Sequence, residues 1–321
     1  MFKFIGLAFL ILVFVGCRGV SRCSEDYGDV VLEYFVEVEN AGIHGFLSRV
    51  EYGDSVAYIL GSMHSGRAHW FPLAPVAEDA MARADVFVFE FDLSVMDSPE
   101  SIEIQQGFWL PGGQTLEDVL PEEVFRHFYE MLGTYPNVSY EMLARFTPAR
   151  ALSLVSLIEG LSLMGVELEY SVDQYVFEFA QARGLPVVGL NDMYSEMQLI
   201  FGMPIEVAIS AIKDFPDFET FAAEIVYAGV ADAYEAQDSA RIYEFEIVSL
   251  HDAARDSLHG QFFLESVVMA RCVIFAEEIE RLLMEAEEPT TFFITIGAAH
   301  VLKGYIFGLL EGRGLEVVWV Y

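Results

Sequence analysis

The chain has 321 residues, 54% of them hydrophobic, and carries 17 Lys and Arg against 50 Asp and Glu, for a formal net charge of -33. A chain of this size buries a large core without disulfides, and three cysteines, Cys17, Cys23 and Cys272, are too few for a disulfide framework. So acidic a field repels nucleic acid and anionic headgroups, which excludes both as partners through a basic patch; the acidity itself reads as a solubilising surface.

The first residues look like an address. Met1-Phe2-Lys3 gives a short positive start, Phe4 to Val15 is apolar, and Gly16-Cys17 ends the run with a small residue before a cysteine. Such a run is shorter than the ~20 residues a membrane-crossing helix needs, so residues 1–16 are expected to be a cleaved signal peptide. Phe14-Val15-Gly16-Cys17 resembles a lipobox, with Phe14 where Leu is usual. On that reading Cys17 is acylated and the protein is a lipoprotein held to a membrane on the extracytoplasmic side. The alternative is an ordinary cleaved signal with Cys17 incidental. Residues 17–30 read as the tether, 31–321 as a single domain, and Cys23 and Cys272 as free thiols.

Along the domain, Gly45–Tyr52 and Ser55–His64 are expected strands joined by a Gly53-Asp54 hairpin turn. Asp85–Leu93, β-branched and aromatic throughout, is a third strand. The middle is helical, with apolar residues at threes and fours over Tyr140–Met164, Val172–Arg183 and Tyr234–Ala286, the last interrupted near His259-Gly260. Leu185–Leu190 is a short strand behind Gly184, and Thr290–Ile296 and Leu315–Tyr321 are a closing pair. Strands at both ends with helices between them predict a mixed α/β fold, in which N- and C-terminal strands form one sheet wrapped by helices.

Two strands run into Gly-x-x-His. Tyr58-Ile59-Leu60-Gly61-Ser62-Met63-His64 is one, and Thr295-Ile296-Gly297-Ala298-Ala299-His300 the other. Gly66-Arg67-Ala68-His69 matches the spacing but has no strand before it, and His69 reads as loop packing beside Trp70-Phe71-Pro72. Glycine at a strand end permits close backbone approach and a sharp turn, presenting each imidazole at the lip of the sheet. In Val86-Phe87-Val88-Phe89-Glu90-Phe91-Asp92, two-residue alternation puts Glu90 and Asp92 on one face. Carboxylates on an apolar strand are costly unless paired, exposed or bound to metal; the solvated strand end is the plain alternative. Two histidines and a carboxylate can bind a divalent ion and leave room for water, with a second carboxylate free to move a proton. His44, His127, His251 and His259 have no such context and read as surface.

The ordered set of segments resembles the TraB/GumN family, relatives of the Tiki metalloproteases. The resemblance rests on Tyr58 to His64 with Phe71-Pro72-Leu73-Ala74, on Phe89-Glu90-Phe91-Asp92-Leu93, on Val172-Asp173-Gln174-Tyr175 with Ala180 to Leu190, and on Phe293 to His300 with Gly304, Leu309-Leu310 and Gly314 to Val317. It implies a fold shared with Tiki proteins and erythromycin esterase-like enzymes. It also implies a divalent metal ion (manganese, cobalt or zinc) on His64, Glu90 and His300, and metal-dependent cleavage of a peptide or protein substrate. Gly61 and Gly297 are the motif glycines; Asp92 joins Glu90 as a catalytic candidate from strand geometry alone. Two departures stand out. Family members often carry Arg-Asn-x-x-Met on the long C-terminal helix, where Glu265-Ser266-Val267-Val268-Met269 stands here, so a positive charge and an amide are expected to be missing. Many have Leu-Glu-Thr after the middle strand, where this chain has Leu190-Asn191-Asp192. The expected function is an extracytoplasmic metal-dependent hydrolase, a peptidase. Its rival is a non-catalytic lipoprotein that binds or sequesters a peptide, haem or signalling ligand.

Overall fold

A computed structural model describes residues 43, 45–133, 138–214, 229–242, 249–301 and 305–320. The expected signal, Cys17, Cys23, the tether and His44 lie outside the described residues.

Six strands form one mixed sheet in the order β4-β3-β5-β2-β1-β6. They are β1 (Phe46–Tyr52), β2 (Ser55–Ser62), β3 (Val86–Phe91), β4 (Val187–Asn191), β5 (Thr291–Gly297) and β6 (Val317–Trp319). β2, β5, β3 and β4 run parallel, while β1 is antiparallel to both β2 and β6. The β1–β2 hairpin closes with Tyr52 opposite Ser55, and Gly53 takes the left-handed conformation (φ 58°) that the tight turn requires.

The expectation that distant strands meet is borne out, since β5 slots between β2 and β3. It is buried along almost its whole length, as parallel strands covered on both faces are. Alternation along β3 decides what covers each face. Phe87 and Phe89 pack against Phe179 and Phe177 of the helix Val172–Ala182. Glu90, one step on, points the other way and meets Arg271 of the helix Ala270–Glu285.

Between β3 and β4 lies a helical insert with its own apolar cluster, including Leu116, Phe128, Leu143, Leu152 and Val155. The expected helix over 140–164 is broken here into Tyr140–Leu143 and Pro148–Met164. Pro148 has no N–H to continue a helix and stands at the first turn of the second one, behind the Thr147 cap. Gly165 (φ 61°) stops that helix.

The interruption expected at His259-Gly260 lies two residues earlier. Ser257 caps Leu258–Phe262, its hydroxyl accepting from Gly260 N at 3.0 Å. The helix then passes through a wide π segment, Phe263–Met269, into Ala270–Glu285. Among the described residues no single helix is long and apolar enough to cross a membrane. The bent pair Met193–Phe201 and Ile205–Lys213 meets the length and composition test together, yet Met193, Met197, Ile200 and Phe201 are buried in the fold.

Candidate functional site

Because β2, β5 and β3 are parallel and in register, their C-terminal ends fall on one edge of the sheet. Ser62 is opposite Gly297, and Phe89 opposite Thr295. His64 and His300 follow β2 and β5, Glu90 lies at the end of β3, and the three gather around Gly297. A Cβ added there would lie 3.3 Å from Glu90 Oε1, 3.6 Å from His64 Nε2 and 3.6 Å from His300 Cδ2. Gly61 has a different reason to be glycine: a Cβ would come within 2.6 Å of Val301 Cγ2, on the short helix that carries His300.

His64 is oriented from behind. Its Nδ1 lies 2.7 Å from Asp173 Oδ2, and Ser62 Oγ donates to Asp173 Oδ1 at 2.8 Å. Asp173 stands in the first turn of its helix, where the dipole favours a carboxylate, and Val172 N binds Met63 O at 3.0 Å, docking that turn on the strand end. Burial alone would lower the His64 pKa; the charge and hydrogen bond of Asp173 outweigh it and raise the pKa above the ordinary value. For Asp173 burial works upward, and the His64 and Ser62 contacts hold the carboxyl below its usual range. No hydrogen bond reaches His64 Nε2 among the described residues.

Arg271 occupies the centre. It is 2% exposed. Its Nη2 donates to Glu90 Oε2, its Nε to Glu196 Oε2 at 2.6 Å, and its Nη1 lies 3.2 Å from His300 Nε2. Gly297 N donates to the other Glu90 oxygen at 2.8 Å, and Asn191 Nδ2 to Glu196 Oε1 at 2.9 Å. Burial, then the charge of Glu90, raise the Glu196 pKa against the lowering effect of Arg271. Burial, with Arg271 and His64 adding to it, holds His300 well below the ordinary histidine pKa, so it is neutral. The Cys272 thiol, 3.1 Å from His300 Nδ1, is pushed up to about 12 by burial and by Glu90.

Arg271 corrects the expectation of a missing positive charge. The segment that carries it is Arg271-Cys272-Val273-Ile274-Phe275, just past Glu265–Met269, which forms the π turn instead. Asp92 is also corrected. The strand ends at Phe91, and Asp92 caps the 3-10 turn Leu93–Asp97 by accepting from Ser94 N at 2.8 Å, so it does not share a strand face with Glu90. His259 is buried rather than a surface group, and His127 is half-buried; the Nε2 atom of each is enclosed without a hydrogen-bond partner. His251 is exposed, 3.1 Å from Tyr305 Oη. His69, exposed on the 3-10 turn Ala68–Trp70, lies 3.0 Å from Glu235, which also accepts from Arg67 and Trp70.

The donor set tests the implied metal ion. Among the described residues no three His, Cys, Asp or Glu side chains are arranged to hold one. The cause is visible: both Glu90 oxygens are engaged, and a guanidinium, which only donates, faces the His300 nitrogen a metal would use. As arranged, His64, Glu90 and His300 do not fit a shared divalent ion.

Asp173, Glu196 and Arg271 were not among the residues expected from sequence. Each interrupts an apolar helical stripe: Asp173 with Val176, Phe177 and Ala180; Glu196 with Met193, Met197 and Ile200; Arg271 with Phe275 and Ile279. A charge on a buried stripe is the signal that finds them.

A sequence model of the TraB/PrgY/gumN family matches residues 46–318. The uncharacterized protein YbaP of Shigella flexneri and that of Escherichia coli (strain K12) are each 23% identical over 155 residues, 47% of this chain and 54% of the relative. The chain thus spans about half the length of the curated relatives it matches. No solved structure matches it.

Proposed function

Because the chain belongs to the TraB/PrgY/gumN family, we propose that it is a hydrolase of the cell envelope, tethered through Cys17 and acting on a peptide carbonyl. One observation carries the reading: the buried Asp173–His64 pair leaves His64 Nε2 unbonded at Gly297, where Glu90, the ion-pair partner of the buried Arg271, also converges. Asp173 fixes the His64 tautomer with its proton on Nδ1, so the Nε2 lone pair faces the site and takes a proton from water. That water attacks the carbonyl carbon. The negative charge that develops on the carbonyl oxygen falls beside Arg271, whose five N–H donors are only partly used by Glu90, Glu196 and His300. On collapse, His64 returns its proton to the leaving amine. The neutral His300 accepts from Arg271 and takes no proton in this scheme.

The rival scheme places a divalent ion on His64, Glu90 and His300, whose side chains converge on Gly297, and it requires Arg271 to leave Glu90 and His300 first. The binding-protein reading is favoured by the ion pairs themselves, since Glu90 and Glu196 already balance Arg271. A peptide library incubated with the full chain and with His64→Ala separates the readings. Cleavage by the native chain and its loss in the variant supports the hydrolase; tight peptide binding by both without cleavage supports the binder.

A further inference from the structure

We propose that Asn191 and Glu196 form a clamp that fixes Arg271 across Glu90 and His300, making the guanidinium the resident cation of this centre and keeping divalent ions out. The inference goes beyond the hydrolase reading, and its test needs no substrate.

The clamp is mounted on the sheet. Asn191 ends β4, paired with Phe91 of β3, and its Nδ2 donates to Glu196 Oε1 at 2.9 Å. With that oxygen held, Glu196 presents Oε2 to Arg271 Nε at 2.6 Å. Three edges of the guanidinium are then assigned: Nε to Glu196, Nη2 to Glu90 and Nη1 to His300. A planar fork with five donors makes all three contacts at once; an ammonium on a flexible stem does not. The Arg271 guanidinium also lies over the Phe275 ring, 5.2 Å from its centroid.

The consequence falls on His300. Since Arg271 only donates, Nε2 must accept, and the ring proton is on Nδ1, 3.1 Å from Cys272 Sγ. Neither nitrogen has a lone pair left for a metal. Glu90 is closed in the same way, by Gly297 N and Arg271. Asn191 and Glu196 are therefore positioning residues: they touch no reacting atom and act through Arg271.

The test is a Co2+ titration of the purified full chain, followed by the visible absorption of the ion and by imidazole 15N NMR. In the native chain the centre is expected to take up no Co2+, and His300 to keep its proton on Nδ1. Glu196→Gln removes the charge that pins Nε. Arg271→Lys keeps the positive charge but loses the fork. Both are expected to free His300 Nε2 and to tighten Co2+ binding by roughly tenfold or more, with the His64 and His300 signals broadened. Stoichiometric Co2+ uptake by the native chain at those two histidines overturns the proposal. So does failure of folded Glu196→Gln to gain affinity or change the His300 tautomer. If Arg271→Lys does not fold, the native chain and Glu196→Gln still decide.

Discussion

His64 Nδ1 and Asp173 Oδ2 lie 2.7 Å apart, although 109 residues separate them in the chain. The pair exists because the first turn of a helix is docked on the end of β2, where Val172 N binds Met63 O. Replacing Asp173 by Asn keeps the shape and removes the charge. The His64 pKa is then expected to fall, because burial, which lowers it, is no longer outweighed. Hydrolysis is expected to drop by roughly 100-fold or more, as the ring loses its fixed tautomer. Imidazole NMR and kcat on a peptide substrate check the two effects separately.

The motif glycines separate stability from chemistry. Gly61→Val drives a side chain into Val301 and is expected to cost about 1–3 kcal/mol of stability, read as a lower Tm. Gly297→Ala adds one methyl at ordinary contact distance from His64 and His300, and 3.3 Å from Glu90 Oε1. Because Glu90 is held there by Gly297 N and Arg271, the substitution is expected to lower Tm less than Gly61→Val does while reducing activity, since the methyl fills the point where the three side chains converge.

His259 gives the fold a pH dependence of its own. It is 4% exposed with Nε2 unpartnered, and burial lowers its pKa from 6.5 to about 4. The unfolded chain binds the proton more readily than the folded one, so the stabilising effect is complete above the unfolded pKa and declines as pH falls toward the folded one. The loss is on the order of 3 kcal/mol across that window. Urea midpoints between pH 7 and 4 are expected to show it, and His259→Leu to flatten the slope.

Tyr234 ties the segment beyond the insert to the site strand. Its hydroxyl donates to Gly61 O at 2.7 Å, and its ring packs on Trp70 and Phe46. Tyr234→Phe keeps the ring packing and is expected to cost about 1 kcal/mol, measured as a shift in denaturation midpoint with an unchanged slope.

The sheet was legible because its strands carry a local signal, alternation or an apolar run bounded by Gly, and because each Gly-x-x-His is contiguous. His64, Glu90 and His300 therefore came from short motifs, and the structure brings them together. Arg271, Glu196 and Asp173 arrive from three different helices; Arg271 and Glu196 are marked only by a charge on a buried stripe, and Asp173 by that and by its place in the Val172-Asp173-Gln174-Tyr175 segment, which did not assign it a role. Asp92 failed for a local reason: alternation holds only while the strand lasts, and the backbone turns into a cap after Phe91. The break at Pro148 was visible in the sequence, but the apolar spacing on either side of it masked the stop.

The most direct measurement is peptide cleavage by the full chain before and after exhaustive chelation, beside His64→Ala. Cleavage that survives chelation and disappears in His64→Ala is the expected result, with His64 as the base and Arg271 as the resident cation. Cleavage abolished by chelation and restored by manganese, cobalt or zinc, or no cleavage of any peptide by the native chain, would contradict it.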